Sequence, residues 1–145
     1  MCEIEMNSMK IMVINGPGTA LLGRDDVKNS GNDTLDDIDL RIRERAEDYD
    51  MDVVFVRTNL EGEIVEALYR ALDTCDGVVL NAGAYTYYSY VIAEAVGAIG
   101  IPVIEVRVDN DISGAVSVVC PKCAGRITGL GTAVYTLALE ALSEM

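Results

Sequence analysis

From Lys10 onward the sequence alternates between two kinds of segment, and that alternation restricts the available folds more than any other feature. Residues 11–14 are a continuous apolar run, as expected of a strand buried on both faces. Residues 53–56, 77–80 and 102–106 read as further strands, with a fifth at 126–129. Segments of helical period separate them. Thr34 and Asp37 make a capping-box-like start, after which Leu35, Ile38, Ile42, Ala46 and Tyr49 fall on one face. Asp36 and Asp37 sit favourably at the positive end of that helix dipole. A second helix spans residues 61–73, buried through Ile64, Val65, Leu68 and Leu72; an apolar third spans 89–99, and a closing helix 132–143. Strands alternating with helices imply right-handed crossovers and a parallel sheet covered on both faces. The expected class is therefore α/β: a flavodoxin-like, doubly wound, five-stranded parallel sheet in the order 2-1-3-4-5. Ligands in such sheets bind beyond the carboxyl ends of the strands. Here those ends are residues 15–24, 57–61, 81–89 and 105–113.

Composition narrows the chemistry. The chain has 145 residues, half of them hydrophobic (50%) and 24% charged, enough for one packed domain. Eleven basic against 24 acidic residues give a net charge of -13, which repels phosphate backbones and anionic membranes and argues against nucleic-acid or membrane partners. No apolar run approaches the ~18 residues needed to cross a bilayer. Glu3 and Glu5 stand where a signal peptide carries positive charge, so a cytoplasmic protein is expected. Histidine is absent, which removes the usual acid/base group near neutral pH and the commonest metal ligand. Proton transfer must then use a carboxylate, Tyr, Cys, Lys or water. Cys2, Cys75, Cys120 and Cys123 read as thiols rather than a disulfide framework.

The loops at the strand ends carry a recognisable ordered set. It comprises Asn15-Gly16-Pro17, Leu21-Leu22-Gly23-Arg24, Thr34-Leu35-Asp36-Asp37-Ile38, Asn59, Glu61-Gly62-Glu63 and Asn81 through Thr86. Ile101-Pro102-Val103-Ile104-Glu105-Val106, Asn110, Gly129-Leu130-Gly131 and Leu137-Ala138-Leu139-Glu140-Ala141-Leu142 complete it. In this order and spacing the sequence resembles the type II 3-dehydroquinate dehydratases, from about Lys10 to Leu142. The resemblance implies one domain over residues 10–145 after an N-terminal extension of residues 1–9. It also implies a homododecamer built from trimers, no cofactor, and an enolate mechanism. In that mechanism a loop tyrosine helped by an arginine removes the proton α to the ketone, and a histidine protonates the departing hydroxyl.

Residue by residue, much of that apparatus is replaced. The tyrosine position holds Ser30 and the arginine position Asp25, with Arg24 one place earlier; Gly18 stands for an asparagine. Tyr87 and Arg107 occupy histidine positions, and Asp109 a carboxylate-binding serine position. A segment with further histidines and arginines is shortened to residues 111–116. A fixed acid facing a carboxylate ligand at ~4 Å is repelled by roughly 4 kcal/mol at an effective dielectric near 20. Dehydration of 3-dehydroquinate is therefore expected to be weak or absent.

Two functional readings remain open. The first is a divergent lyase with Glu105, Tyr87, Asn81 and Arg24 as catalytic candidates. Asn15, Gly83, Tyr85, Arg107, Asp109, Asn110 and Glu94 would then be its substrate-binding candidates. The second is a silent, small-molecule-binding or structural paralogue that keeps the oligomeric scaffold. Each candidate has a structural alternative. Glu105 can pair with Arg107 or Arg126, Asn81 can cap its loop, and Tyr85, Tyr87, Tyr88 and Tyr90 can pack at a subunit contact. Asp109 and Asp111 can be solvated loop acids, and Cys120-Pro121-Lys122-Cys123 can be a metal half-site, a redox pair or a plain turn. Self-association is expected from the tyrosine-rich, apolar third helix.

Overall fold

The computed structural model describes residues 8–27 and 31–145. Its order is β1 (Met9–Asn15), α1 (Leu35–Asp48), β2 (Met51–Arg57), α2 (Glu61–Thr74) and β3 (Gly77–Asn81). There follow α3 (Tyr90–Ile99), β4 (Val103–Arg107), β5 (Gly125–Thr128) and α4 (Ala133–Ser143). Short 3-10 turns lie at Thr19–Leu21, Gly83–Tyr87 and Cys120–Lys122, none of which periodicity announces. The five strands form one parallel sheet in the order β2-β1-β3-β4-β5, as the alternation predicts.

Period-2 geometry divides each strand between two cores. Ile11, Val13, Val79, Ile104 and Val106 pack with Ile38, Ile42, Val134 and Leu139 of α1 and α4. Met12, Ile14, Val78, Leu80 and Val103 pack with Ile64, Leu68, Ile92 and Val96 of α2 and α3. The predicted capping box is present: Thr34 Oγ1 accepts from the Asp37 amide (3.2 Å), and Asp37 Oδ2 accepts from the Thr34 amide (3.0 Å). Ser89 caps α3, its hydroxyl oxygen accepting from the Ile92 amide. One helix expectation is corrected. The buried stripe of α2 runs through Ile64, Ala67, Leu68 and Ala71, so Leu72 falls at its margin and is 48% exposed. Among the described residues no helix is long and apolar enough to cross a membrane.

The two leucines of α2 give a direct check on this placement. Leu68→Ala is expected to cost about 2–5 kcal/mol in urea unfolding, because it empties a fully buried site. Leu72→Ala should stay within about 0.5 kcal/mol of the parent.

Candidate functional site

The carboxyl ends of β1, β3 and β4 open onto a cleft of about 320 Å³. Pro17, Gly18, Thr19 and Leu22 line it from the loop after β1, Asn81, Gly83 and Ala84 from the loop after β3, and Arg107, Val108 and Asp109 from the end of β4. Its position follows from register. Asn15 and Asn81 are direct partners across β1 and β3, on the α4 side of the sheet. Tyr135, projecting from α4, donates its hydroxyl to Asn15 Oδ1 (2.6 Å) and accepts from Asn81 Nδ2 (3.0 Å). Asn81 Oδ1 accepts from the Gly83 amide (3.1 Å), so its amide plane is held at both ends. Burial pushes the Tyr135 phenol up to about 12, so it acts as a neutral hydrogen-bonding pin. Asn15 Nδ2 is buried without a partner among the described residues. Gly83 has φ 61°, and a Cβ there would run into the Pro17 carbonyl. Glycine is needed at that position to let two site loops touch.

Arg107 reaches over the strand end. Its Nη1 donates to the Gly83 carbonyl (2.6 Å), and its guanidinium lies 5.1 Å from the centroid of the Tyr87 ring. The Arg107 Nε is buried with no partner among the described residues. Tyr87 donates its hydroxyl to Asp111 Oδ1 (2.9 Å). Burial raises the Tyr87 pKa, the Asp111 carboxylate adds to the rise, and the nearby Arg107 only partly offsets it. Asp111 in turn receives Arg126 as a fork, at 2.6 and 2.7 Å. That pair holds the Asp111 carboxyl at about 2 and raises the guanidinium's pKa.

Glu105 lies at the root of this chain and is 0% exposed. It is the register partner of Arg126 across β4 and β5, and Arg126 Nε donates to its Oε2. Thr86 and Ser117 both donate to its Oε1, the latter at 2.9 Å. Glu105, a catalytic candidate from the sequence, faces the α3 side of the sheet, outside the residues lining the cleft. Its structural alternative, the ion pair with Arg126, is the one formed. Tyr87 likewise lies behind Arg107 rather than on the cleft wall. Arg24 pairs with Asp26 on an exposed loop and is not among the cleft-lining residues.

The remaining candidates divide in the same way. Asn81, Gly83, Arg107 and Asp109 line the cleft. Asn15 stands beneath it as the support of Tyr135. The Tyr85 hydroxyl donates to the Asn59 carbonyl (2.8 Å), and its ring meets Tyr88 edge-on at 5.8 Å. The Asn110 side chain packs against Gly129. Glu94 lies on the outer side of α3, in a groove with Tyr90 and Lys122. Ser30 lies outside the described residues. Asp111, weighed as a solvated acid, is an ion-pair member. Sequence reasoning did not find Tyr135 or the Thr86 and Ser117 hydroxyls. Tyr135 reads as one more apolar position of α4, and nothing local ties the other two to Glu105. Among the described residues, no three His, Cys, Asp or Glu side chains could together hold a metal ion.

Two outcomes test this network. Arg126→Met strands a buried carboxylate and is expected to cost about 3–5 kcal/mol in urea unfolding, most of it recovered when Glu105→Gln is added. The Asp111 pKa is depressed on folding, so its stabilisation is complete above its unfolded value of ~3.9 and lost as pH falls towards its folded value. Asp111→Asn should flatten the stability–pH curve in that acid window and leave its shape above about pH 5 unchanged.

Residues 9–143 match the family model "Dehydroquinase class II". The 3-dehydroquinate dehydratase of Pelotomaculum thermopropionicum is 41% identical over 141 residues, covering 94% of this chain and 98% of that protein. Among solved structures, the type II dehydroquinase of Butyrivibrio crossotus superposes with a TM-score of 0.87 at 34% identity, covering 93% of this chain and 97% of that one. The type II dehydroquinase of Propionibacterium acnes gives 0.84 at 32%, covering 95% and 100%. With its strand order, its cleft at the strand ends and these likenesses agreeing, the chain belongs to the class II dehydroquinase family.

Proposed function

We propose that this family member binds a small polar molecule that is not strongly anionic, and that it dehydrates 3-dehydroquinate weakly or not at all. One observation carries the reading: the groups best suited to acid–base work are consumed by one another. Glu105 is sealed against Arg126, Thr86 and Ser117, and the Tyr87 hydroxyl is committed to Asp111. Among the described residues, Arg107 and Asp109 are the ionisable ones that line the cleft. Asp109 adds negative charge where a carboxylate substrate has to approach. Arg107 and the Asn81 amide suit an oxygen acceptor, a ketone or hydroxyl rather than a second anion. These two donors also favour the alternative in which residual lyase chemistry survives, since they can steady negative charge developing on a carbonyl oxygen. Assembly into a homo-oligomer is part of the proposal, supported by Tyr88 and Tyr90, which are 58% and 74% exposed on and beside α3.

The test is a direct assay of the purified protein with 3-dehydroquinate, following absorbance of the conjugated enone formed on loss of water. A kcat/KM at least ~10-fold below that of a type II dehydroquinase run alongside is expected, the repulsion from the exposed Asp109 being screened by solvent. Ordinary turnover overturns the proposal. Asp109→Ser should tighten 3-dehydroquinate binding about tenfold or more in calorimetry; an unchanged affinity removes the electrostatic argument.

A further inference from the structure

Away from the cleft, the Cys120-Pro121-Lys122-Cys123 segment forms a 3-10 turn closed by a bond from the Cys123 amide to the Cys120 carbonyl (2.9 Å). A turn of this kind holds its first and fourth Cα atoms within ~7 Å, which overlaps the ~4.4–6.8 Å span of a disulfide. The turn is also anchored, because the Cys120 amide donates to Ser117 Oγ (2.9 Å). The two sulfurs differ in their surroundings. Cys120 lines an open cleft of about 400 Å³ with Asp111, Ala115, Val116, Ser117, Pro121 and Arg126. Cys123 packs against the α2–α3 core, and its thiol points at the Val119 carbonyl at 3.5 Å. Burial pushes the Cys123 thiol up to about 12, with the nearby Glu105 carboxylate and Cys120 adding to the rise. Both cysteines are half-buried, but Cys120 lines the cleft while Cys123 packs against the core, within the Cα span of a disulfide. Among the described residues metal binding finds no third ligand here, and a plain turn does not call for a cysteine at either end.

We propose that Cys120 and Cys123 form a reactive dithiol in which Cys120 attacks a low-molecular-weight disulfide and Cys123 resolves the product. In the first step the Cys120 thiolate bonds to one sulfur of the reagent R–S–S–R, whose S–S bond breaks and releases RS⁻. In the second, the Cys123 sulfur gives up its proton, bonds to Cys120 Sγ and expels the second RS⁻. The two protons lost by the cysteines balance the two released thiolates, so the protein dithiol is oxidised and the reagent disulfide reduced to two thiols. Cys123 stays protonated until Cys120 carries the mixed disulfide, after which proximity drives the exchange. The first step is faster at Cys120 because it lines the open cleft, whereas the Cys123 thiol is packed against the core and directed at the Val119 carbonyl.

The experiment uses the intact protein and glutathione. The protein is equilibrated over a range of reduced-to-oxidised glutathione ratios, quenched with an alkylating reagent, and digested with trypsin. Trypsin cuts after Lys122 and separates the two cysteines, so a disulfide between them appears as a cross-linked peptide pair. Oxidised glutathione should produce that pair in the parent protein, Cys123→Ser should accumulate glutathione on Cys120, and Cys120→Ser should leave Cys123 unmodified. In the reduced parent, which does not depend on any variant folding, alkylation of Cys120 should outpace that of Cys123 by about tenfold or more. A parent that stays a dithiol in oxidised glutathione, a mixed disulfide that persists on Cys120, or equal alkylation rates at the two positions would each overturn the proposal.

Discussion

A carboxylate inside a parallel sheet is tolerable only when its charge is matched at close range, and Glu105 sets that condition for half of this molecule. Its register partner on β5 is Arg126, and hydroxyls from the turn after β3 and the loop before Cys120 take up its remaining capacity. Arg126 then has donors to spare, which take Asp111 as a bidentate partner; Asp111 takes the Tyr87 hydroxyl, and the Tyr87 ring supports Arg107. The position of the cleft's cation is in this way determined from the bottom of the sheet. Removing any one charge leaves the next exposed to a low dielectric, where an unmatched ion is far more costly than a missing hydrogen bond.

On the opposite face of the sheet the floor of the cleft is held by uncharged side chains. Asn15, Asn81 and Tyr135 share hydrogen bonds over a core of aliphatic side chains, and the phenol is too deeply buried to ionise near neutral pH. The cleft therefore has a neutral, rigid floor and an ion-supported wall. That combination suits recognition of a polar molecule by shape and hydrogen bonding. Among the described residues it leaves few groups able to change protonation state during a reaction, and the proposal that separates membership of the dehydroquinase family from its reaction rests on this.

Much of the fold was legible from local rules. The runs of β1 and β3 are apolar because both faces are covered, and Thr34 with Asp37 announces the start of α1 by its chemistry alone. The boundary readings of the helices needed little adjustment for the same reason. Leu72 was misjudged because helical periodicity gives a stripe without a sharp edge, and only packing against α3 and the sheet shows where burial stops. The candidate site was less legible. Asn81, Gly83, Arg107 and Asp109 were found because they follow strands, and strand ends converge in this topology. Tyr135 was missed because its partners lie 54 and 120 residues away, and a tyrosine on an amphipathic helix carries no mark of the bond it makes.

The sequence by itself determined the class of fold, the strand order expected of it, and the end of the sheet where a ligand has room. These follow from periodicity, crossover handedness and the placement of turn residues, all of which act over short stretches of chain. Tertiary structure alone decided the fate of the charges. Whether Glu105 meets the cleft or Arg126, and which of Cys120 and Cys123 lines a cleft and which packs on the core, depends on which side of a strand or turn meets the core. The dielectric around a group comes from every element packed against it, and no local pattern encodes that.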